Sequence, residues 1–144
     1  MHEMASEEEK KIELEACYRS LQQASQQLRE LQKAVEILDN QLIDISSLLQ
    51  ALQDIKEVES GREILVPISN GIFINARLAE HDSFLVNVGS GVVVRKSLGE
   101  TSELLQGRFS EVDAQRSEML KQFEKSSATA QELEKRLQTL LGKG

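Results

Sequence analysis

Tryptophan is absent from this chain, and four Phe and one Tyr are its only aromatic residues. Compact cores lean on aromatic rings, because each buries a large area. The 144 residues would suffice for one domain of ordinary size. Yet 40% hydrophobic content with so few rings points to a thin aliphatic seam rather than a globular centre. A single cysteine excludes an internal disulfide. No apolar run approaches the roughly 18–20 residues that span a bilayer. The opening MHEMASEEEKK has no apolar segment of the secretory kind. These absences predict a cytoplasmic protein with no membrane partner. A basic surface is missing too. Residues 1–60 carry 13 acids and 6 bases, residues 61–97 carry 3 and 4, and residues 98–144 carry 8 and 7. Nucleic-acid recognition needs phosphate neutralisation by a basic face, so no nucleic-acid partner is expected.

Glycine and proline are lacking from residues 1–60, whereas the only proline, Pro67, and five of the eight glycines fall between 61 and 99. This punctuation divides the chain into a helix (1–60), a β-rich centre (61–97) and a second helix (98–144). Ser6 and Glu9 have the spacing of a capping box for the first helix. From Leu14 the apolar residues then step by three and four: Leu14, Cys17, Leu21, Ala24, Leu28, Leu31, Val35, Leu38, Leu42, Ile45, Leu49 and Leu52. Twelve consecutive apolar a/d positions are a coiled-coil pattern. Gly61 is placed to cap the end of this helix in the left-handed conformation. A second capping box, Ser97 to Glu100, opens the return seam: Leu105, Phe109, Val112, Arg116, Met119, Phe123, Ser126, Ala130, Leu133, Leu137 and Leu140. Arg116 and Ser126 interrupt it, Gly107 weakens it by up to about 1 kcal/mol, and Gly142 ends it. Arg116 is expected to lift its head group to solvent and to help fix register.

Each seam-bearing segment covers about 42–46 residues, roughly 65 Å at 1.5 Å per residue. Two arrangements satisfy such seams: a chain that doubles back on itself, or a parallel rod of two chains. Matched arms on either side of a short centre favour the fold-back. With Leu52 facing Ser102, Leu14 meets Leu140, Leu31 meets Phe123 and Ala24 meets Ala130. The small and polar layers at Ala24, Ser126 and Ala130 would bind the two helices weakly near the chain ends.

In the centre, Ile64–Ile68 and Ile72–Leu78 flank Ser69-Asn70-Gly71, where Asn-Gly supplies the positive φ angles of a tight hairpin. Phe84–Val88 and Val92–Lys96 flank Gly89-Ser90-Gly91. Two isolated hairpins are marginal in water, and their edges expose unpaired backbone groups. Pro67 belongs on an edge or at a strand end. Oligomerisation through this segment is therefore expected, carried by Leu65, Val66, Pro67, Ile72, Ile74, Leu78, Val86, Val88, Val92 and Val94.

No chemistry-bearing constellation is found. His2 and His81 have no neighbouring His or Cys, so no metal is expected. Two such histidines build no catalytic triad, and Cys17 reads as a small core residue. Gly89-Ser90-Gly91 resembles the start of a phosphate loop. However, a dinucleotide loop wants a small residue at position 94 and a helix immediately after. Val92-Val93-Val94 instead prefers a strand, and no P-loop lysine is present. No catalytic residue, no cofactor and no enzymatic activity are expected.

The long heptad helix, then Glu63-Ile64-Leu65-Val66-Pro67-Ile68, then Val86-Asn87-Val88-Gly89-Ser90-Gly91-Val92-Val93-Val94-Arg95-Lys96 leading into a return helix, together resemble prefoldin. The resemblance is to its alpha-type subunit, which carries two hairpins where the beta type carries one, and it covers nearly the whole chain. It implies a long antiparallel two-helix coiled coil whose two central hairpins join an intersubunit β-barrel. It further implies a hexamer of two alpha and four beta subunits. Six coiled-coil arms of this hexamer hold unfolded polypeptides at their tips without ATP and pass them to a group II chaperonin. The two-type composition resembles the archaeal assembly; an alpha-type paralogue among six different eukaryotic subunits has the same pattern. Client contacts then fall on Ile12, Leu14, Tyr18, Leu21, Leu133, Leu137, Leu140 and Leu141. Five of these leucines also fit an ordinary buried seam; Ile12, Tyr18 and Leu141 lie off it. A structural adaptor that binds dedicated partner helices is the competing reading.

Overall fold

The computed structural model describes residues 2–142, with side chains from Glu7 onward. The order is α1 (His2–Lys56), β1 (Glu63–Ser69), β2 (Ile72–Arg77), β3 (Ser83–Gly89), β4 (Val92–Ser97) and α2 (Leu98–Leu140). The chain forms two compact units, one of Met1–Asn40 with Asp113–Gly144, the other of Gln41–Val112.

In the first unit, α1 and α2 run antiparallel. Cys17, Ala24, Leu31 and Leu38 are buried, each seven residues from the next. The alternate row, Leu14, Leu21, Leu28 and Val35, is half-buried, as are all the expected α2 seam positions from Arg116 to Leu140. One deep row and one shallow row are what a two-helix pair can offer, since each helix has a single neighbour. The thiol of Cys17 donates to the Leu133 carbonyl at 3.2 Å. Arg116 pairs with Asp39, and Arg136 with Glu13. Arg116 therefore does not simply reach for water, because an acid on the facing helix receives it.

The register differs from expectation near the chain ends. Leu14 lines one groove with Leu137, where Leu140 was expected opposite it, and the Cys17 thiol lies on the Leu133 carbonyl. The offset is about one turn. A repeated seam specifies pairing only to within half a heptad, because a shift of three or four residues again lays a on d. The two ion pairs and the small Cys17 carry the information that the leucines do not.

Helix ends also depart from the simplest reading. α1 already includes residues 2–5, so the backbone at Ser6 is helical and Ser6 is no N-cap. The side chains of Ser6 and His2 lie outside the described residues. At the far end α1 stops at Lys56, five residues before Gly61. Gly61 (φ 87°) instead sits inside a turn closed by Arg62 N–H to the Glu59 carbonyl at 3.3 Å. Its N–H donates to the Leu78 carbonyl at 2.6 Å, and Leu78 N–H returns to the Arg62 carbonyl at 2.9 Å. Gly61 thus starts the sheet ladder instead of closing the helix. By contrast, the second capping box is fully formed. Ser97 N–H donates to Glu100 Oε1 at 3.0 Å, and Glu100 N–H to Ser97 Oγ at 3.1 Å. Hydrogen bonding to the Glu100 carboxyl, first by the Ser97 amide and then by the Ser97 hydroxyl, holds it below its ordinary value. Gly142 (φ 76°) ends α2, with its N–H on the Thr139 carbonyl.

In the second unit the strands form two separate antiparallel hairpins, β1–β2 and β3–β4. Pro67 pairs with Phe73, and the ladder bulges immediately after it, which is where a residue without a donor is tolerated. The first turn takes its positive φ from Gly71 alone, since Asn70 is not among the positive-φ residues. The second turn is Ser90-Gly91, with φ of 52° and 75°. Gly89 belongs to β3 rather than to the turn. It carries a bulge, with its N–H on Asn87 Oδ1 at 2.9 Å. The buried residues of this unit are Leu105 and Thr101 on α2.

Candidate functional site

The end of the helix pair presents the first candidate surface. Leu14 and Leu137, half-buried on the seam, form the base of an open groove of about 560 Å³. Tyr18 and Leu141, 54% and 51% exposed, complete an almost wholly apolar lining. Glu15 and Arg19 lie one turn apart on the α1 rim, and neither forms an ion pair among the described residues. Helical geometry explains the grouping: 14 and 18, like 137 and 141, are four apart and share a face. The groove thus gathers four of the eight residues expected to contact clients. Leu21, Leu133 and Leu140 are half-buried outside its lining, and Ile12, 67% exposed, stands apart from it. Arg19 was not foreseen, although its position one turn after Glu15 was visible. The Glu13–Arg136 pair and the Cys17–Leu133 bond lie at the same levels, so the described seam is closed here despite its small layers.

The hairpins present the second. Cross-strand register places Ile64 with Ala76, Val66 with Ile74, Phe84 with Lys96 and Val86 with Val94. One face of each hairpin is thereby apolar almost throughout. Of the ten expected oligomerisation residues, Leu78 and Val86 are half-buried and the other eight are exposed. The opposite faces also carry large apolar side chains, Leu65 with Phe73 and Leu85 with Val93. Of these four, only Leu65 was expected. Residues on both sides of the pleat being hydrophobic was the signal for the rest. Burying such a side chain stabilises by about 1.5–3 kcal/mol, so two hairpins exposing eleven large apolar residues have a strong drive to associate.

Where the β segment joins the helices, Lys56, Ser60, Glu80, His81, Asp82, Phe84 and Leu98 line a second, more polar cavity. His81 Nδ1 lies 3.5 Å from Ser60 Oγ. Among the described residues no three His, Cys, Asp or Glu are clustered to hold a metal ion, and no helix is long and apolar enough to cross a membrane.

Comparison with known proteins agrees with this architecture. The family model for a prefoldin subunit matches residues 24–143. Prefoldin subunit alpha of Thermofilum pendens is 33% identical over 110 residues, 76% of this chain and 85% of that protein. Prefoldin subunit alpha 1 of Thermococcus kodakarensis is 34% identical over 106 residues, 74% and 71% of the two chains. Prefoldin subunit alpha of Archaeoglobus fulgidus is 25% identical over 134 residues, 93% and 95%. Among solved structures, a chain of filamentous PFD from Methanocaldococcus jannaschii superposes with a TM-score of 0.73 at 16% identity. That match covers 80% of this chain and 95% of the other.

Proposed function

The chain belongs to the prefoldin family, and we propose that it is the alpha-type subunit of an ATP-independent chaperone that holds unfolded polypeptides. In this reading three segments divide the work. Residues 1–60 and 98–144 form the arm, and residues 61–97 form the assembly module. Leu65, Val66, Pro67, Ile72, Ile74, Leu78, Val86, Val88, Val92 and Val94 pack into a β-barrel shared with beta-type subunits in an alpha2beta4 hexamer. The groove of Leu14, Tyr18, Leu137 and Leu141 receives the client in the cytoplasm, ahead of transfer to a group II chaperonin. Apolar grooves of this size are binding surfaces, and this groove is the observation that carries the assignment. This reading needs no nucleotide and no catalytic step.

Client capture at this groove does not require the helix pair to part, because exposed Tyr18 and Leu141 already stand outside the seam. The competing adaptor reading draws support from the same closed seam. Aggregation of a denatured model protein, followed with the assembled oligomer and without nucleotide, separates the two. Protection that disappears when residues 1–20 and 134–144 are removed supports the holdase. Undiminished protection after that truncation sinks the tip as client site, and no protection by the intact oligomer favours the adaptor.

A further inference from the structure

The geometry points to a client chemistry for the end groove: it takes an amphipathic helical turn in preference to an extended chain. This rests on the reading that the groove meets clients. The α1 wall is helix interior, whose backbone N–H and C=O groups are spent within α1; at the end of α2, Leu141 N–H closes on the Leu137 carbonyl and Gly142 N–H on the Thr139 carbonyl. The groove therefore has no sheet edge to offer. An extended segment laid in it would turn its own N–H and C=O groups toward Tyr18 and Leu141, losing water without gaining a partner. A helical segment satisfies its backbone internally and presents only side chains. Helix-in-groove recognition works in this way, through anchors at i, i+3, i+4 and i+7.

The dimensions agree. The lining spans Leu14–Arg19 on α1 and Leu137–Leu141 at the end of α2, each a little over one turn, or roughly 7 Å along an axis. That length holds one or two apolar side chains of a third helix packed against the seam. The charges narrow the choice further. Glu15 and Arg19 are unpaired among the described residues and one turn apart. They complement a client helix that flanks its apolar stripe with a base and an acid, also one turn apart.

Two fluorescent peptides of identical composition test this on the assembled oligomer. One carries Leu at i, i+3, i+4 and i+7 flanked by Lys and Glu; the other alternates Leu with polar residues. Binding is read by anisotropy, alongside aggregation suppression of a denatured model protein by the same preparation. The helix-patterned peptide is expected to bind about tenfold tighter, and the exposed-site double variant Tyr18→Asp with Leu141→Asp is expected to abolish that advantage. Circular dichroism checks that the variant keeps its helices. Equal or tighter binding of the alternating peptide, with suppression intact, overturns the helical preference and leaves the holdase reading standing. An advantage that survives in a helical double variant overturns the groove as its source. Absence of both peptide binding and suppression sinks the holdase reading itself. In Glu15→Lys with Arg19→Glu, a peptide with its Lys and Glu exchanged should gain a few-fold over the original; unchanged ranking overturns the charge rule.

Discussion

Leu31 and Leu65 are both leucines in regular secondary structure, yet the first is 8% exposed and the second 65%. Leu31 lies in the deep row of α1, where the facing helix of the same chain covers it. Leu65 lies on a two-stranded sheet with no second layer. A helix has one apolar stripe and needs one neighbour, which the fold-back supplies. A hairpin has two faces and two edges, and this chain covers neither face of either hairpin completely. The arms are thus nearly self-sufficient, whereas the β segment is written for an assembly. That difference separates what single substitutions should do in the two regions.

The largest effect is expected from a charge on the apolar hairpin face. Val94→Asp should abolish hetero-oligomer formation in sedimentation velocity while circular dichroism still reports helical arms; an intact oligomer would break the contrast. Next, Leu38→Ala in the deep row should cost about 2–3 kcal/mol in denaturant unfolding of the arms without changing which oligomer forms. Ser97→Ala, which removes the N-cap of α2, should cost about 1 kcal/mol in the same measurement. For the half-exposed Asp39–Arg116 pair, a double-mutant cycle should give a coupling of about 0.2–1 kcal/mol. Crosslinking between cysteines placed on facing helices should report a mixed register in Asp39→Ala. Smallest is a pH effect at Glu100. Its carboxyl is held below the ordinary value of 4.5, so its contribution is present above that value. It is lost as pH falls through the lowered value in the fold. Glu100→Gln should flatten the acid limb of the stability profile, and an unchanged profile would remove the Ser97 bonds as its cause.

Much of this was legible in the sequence. Every expected seam position from Leu14 to Leu52 and from Leu105 to Leu140 is buried or half-buried, because a 3–4 periodicity leaves one face for a neighbour. The strands begin or end within a residue or two of the apolar runs that announce them. What was not legible depended on choices between equivalents. Register escaped because Leu14 fits Leu137 as well as Leu140. Gly61 misled because a left-handed glycine serves a helix end or a ladder start equally, and Arg62 with Leu78 decided between them. At the groove, Tyr18 and Leu141 were found as off-seam apolars. Arg19 was not, since a surface arginine has no pattern until its neighbours across the groove are known.

Cys17 has a practical consequence. It is the sole thiol of the chain, it is buried, and its hydrogen bond crosses to α2. A thiol-reactive reagent can reach it only while that level of the helix pair is parted. The ratio of its labelling rate to that of a free thiol is therefore a protection factor for opening near the tip, available in the unmodified chain. Slower labelling in the presence of a client would mean capture by a closed clamp, and faster labelling would mean capture by prying it apart.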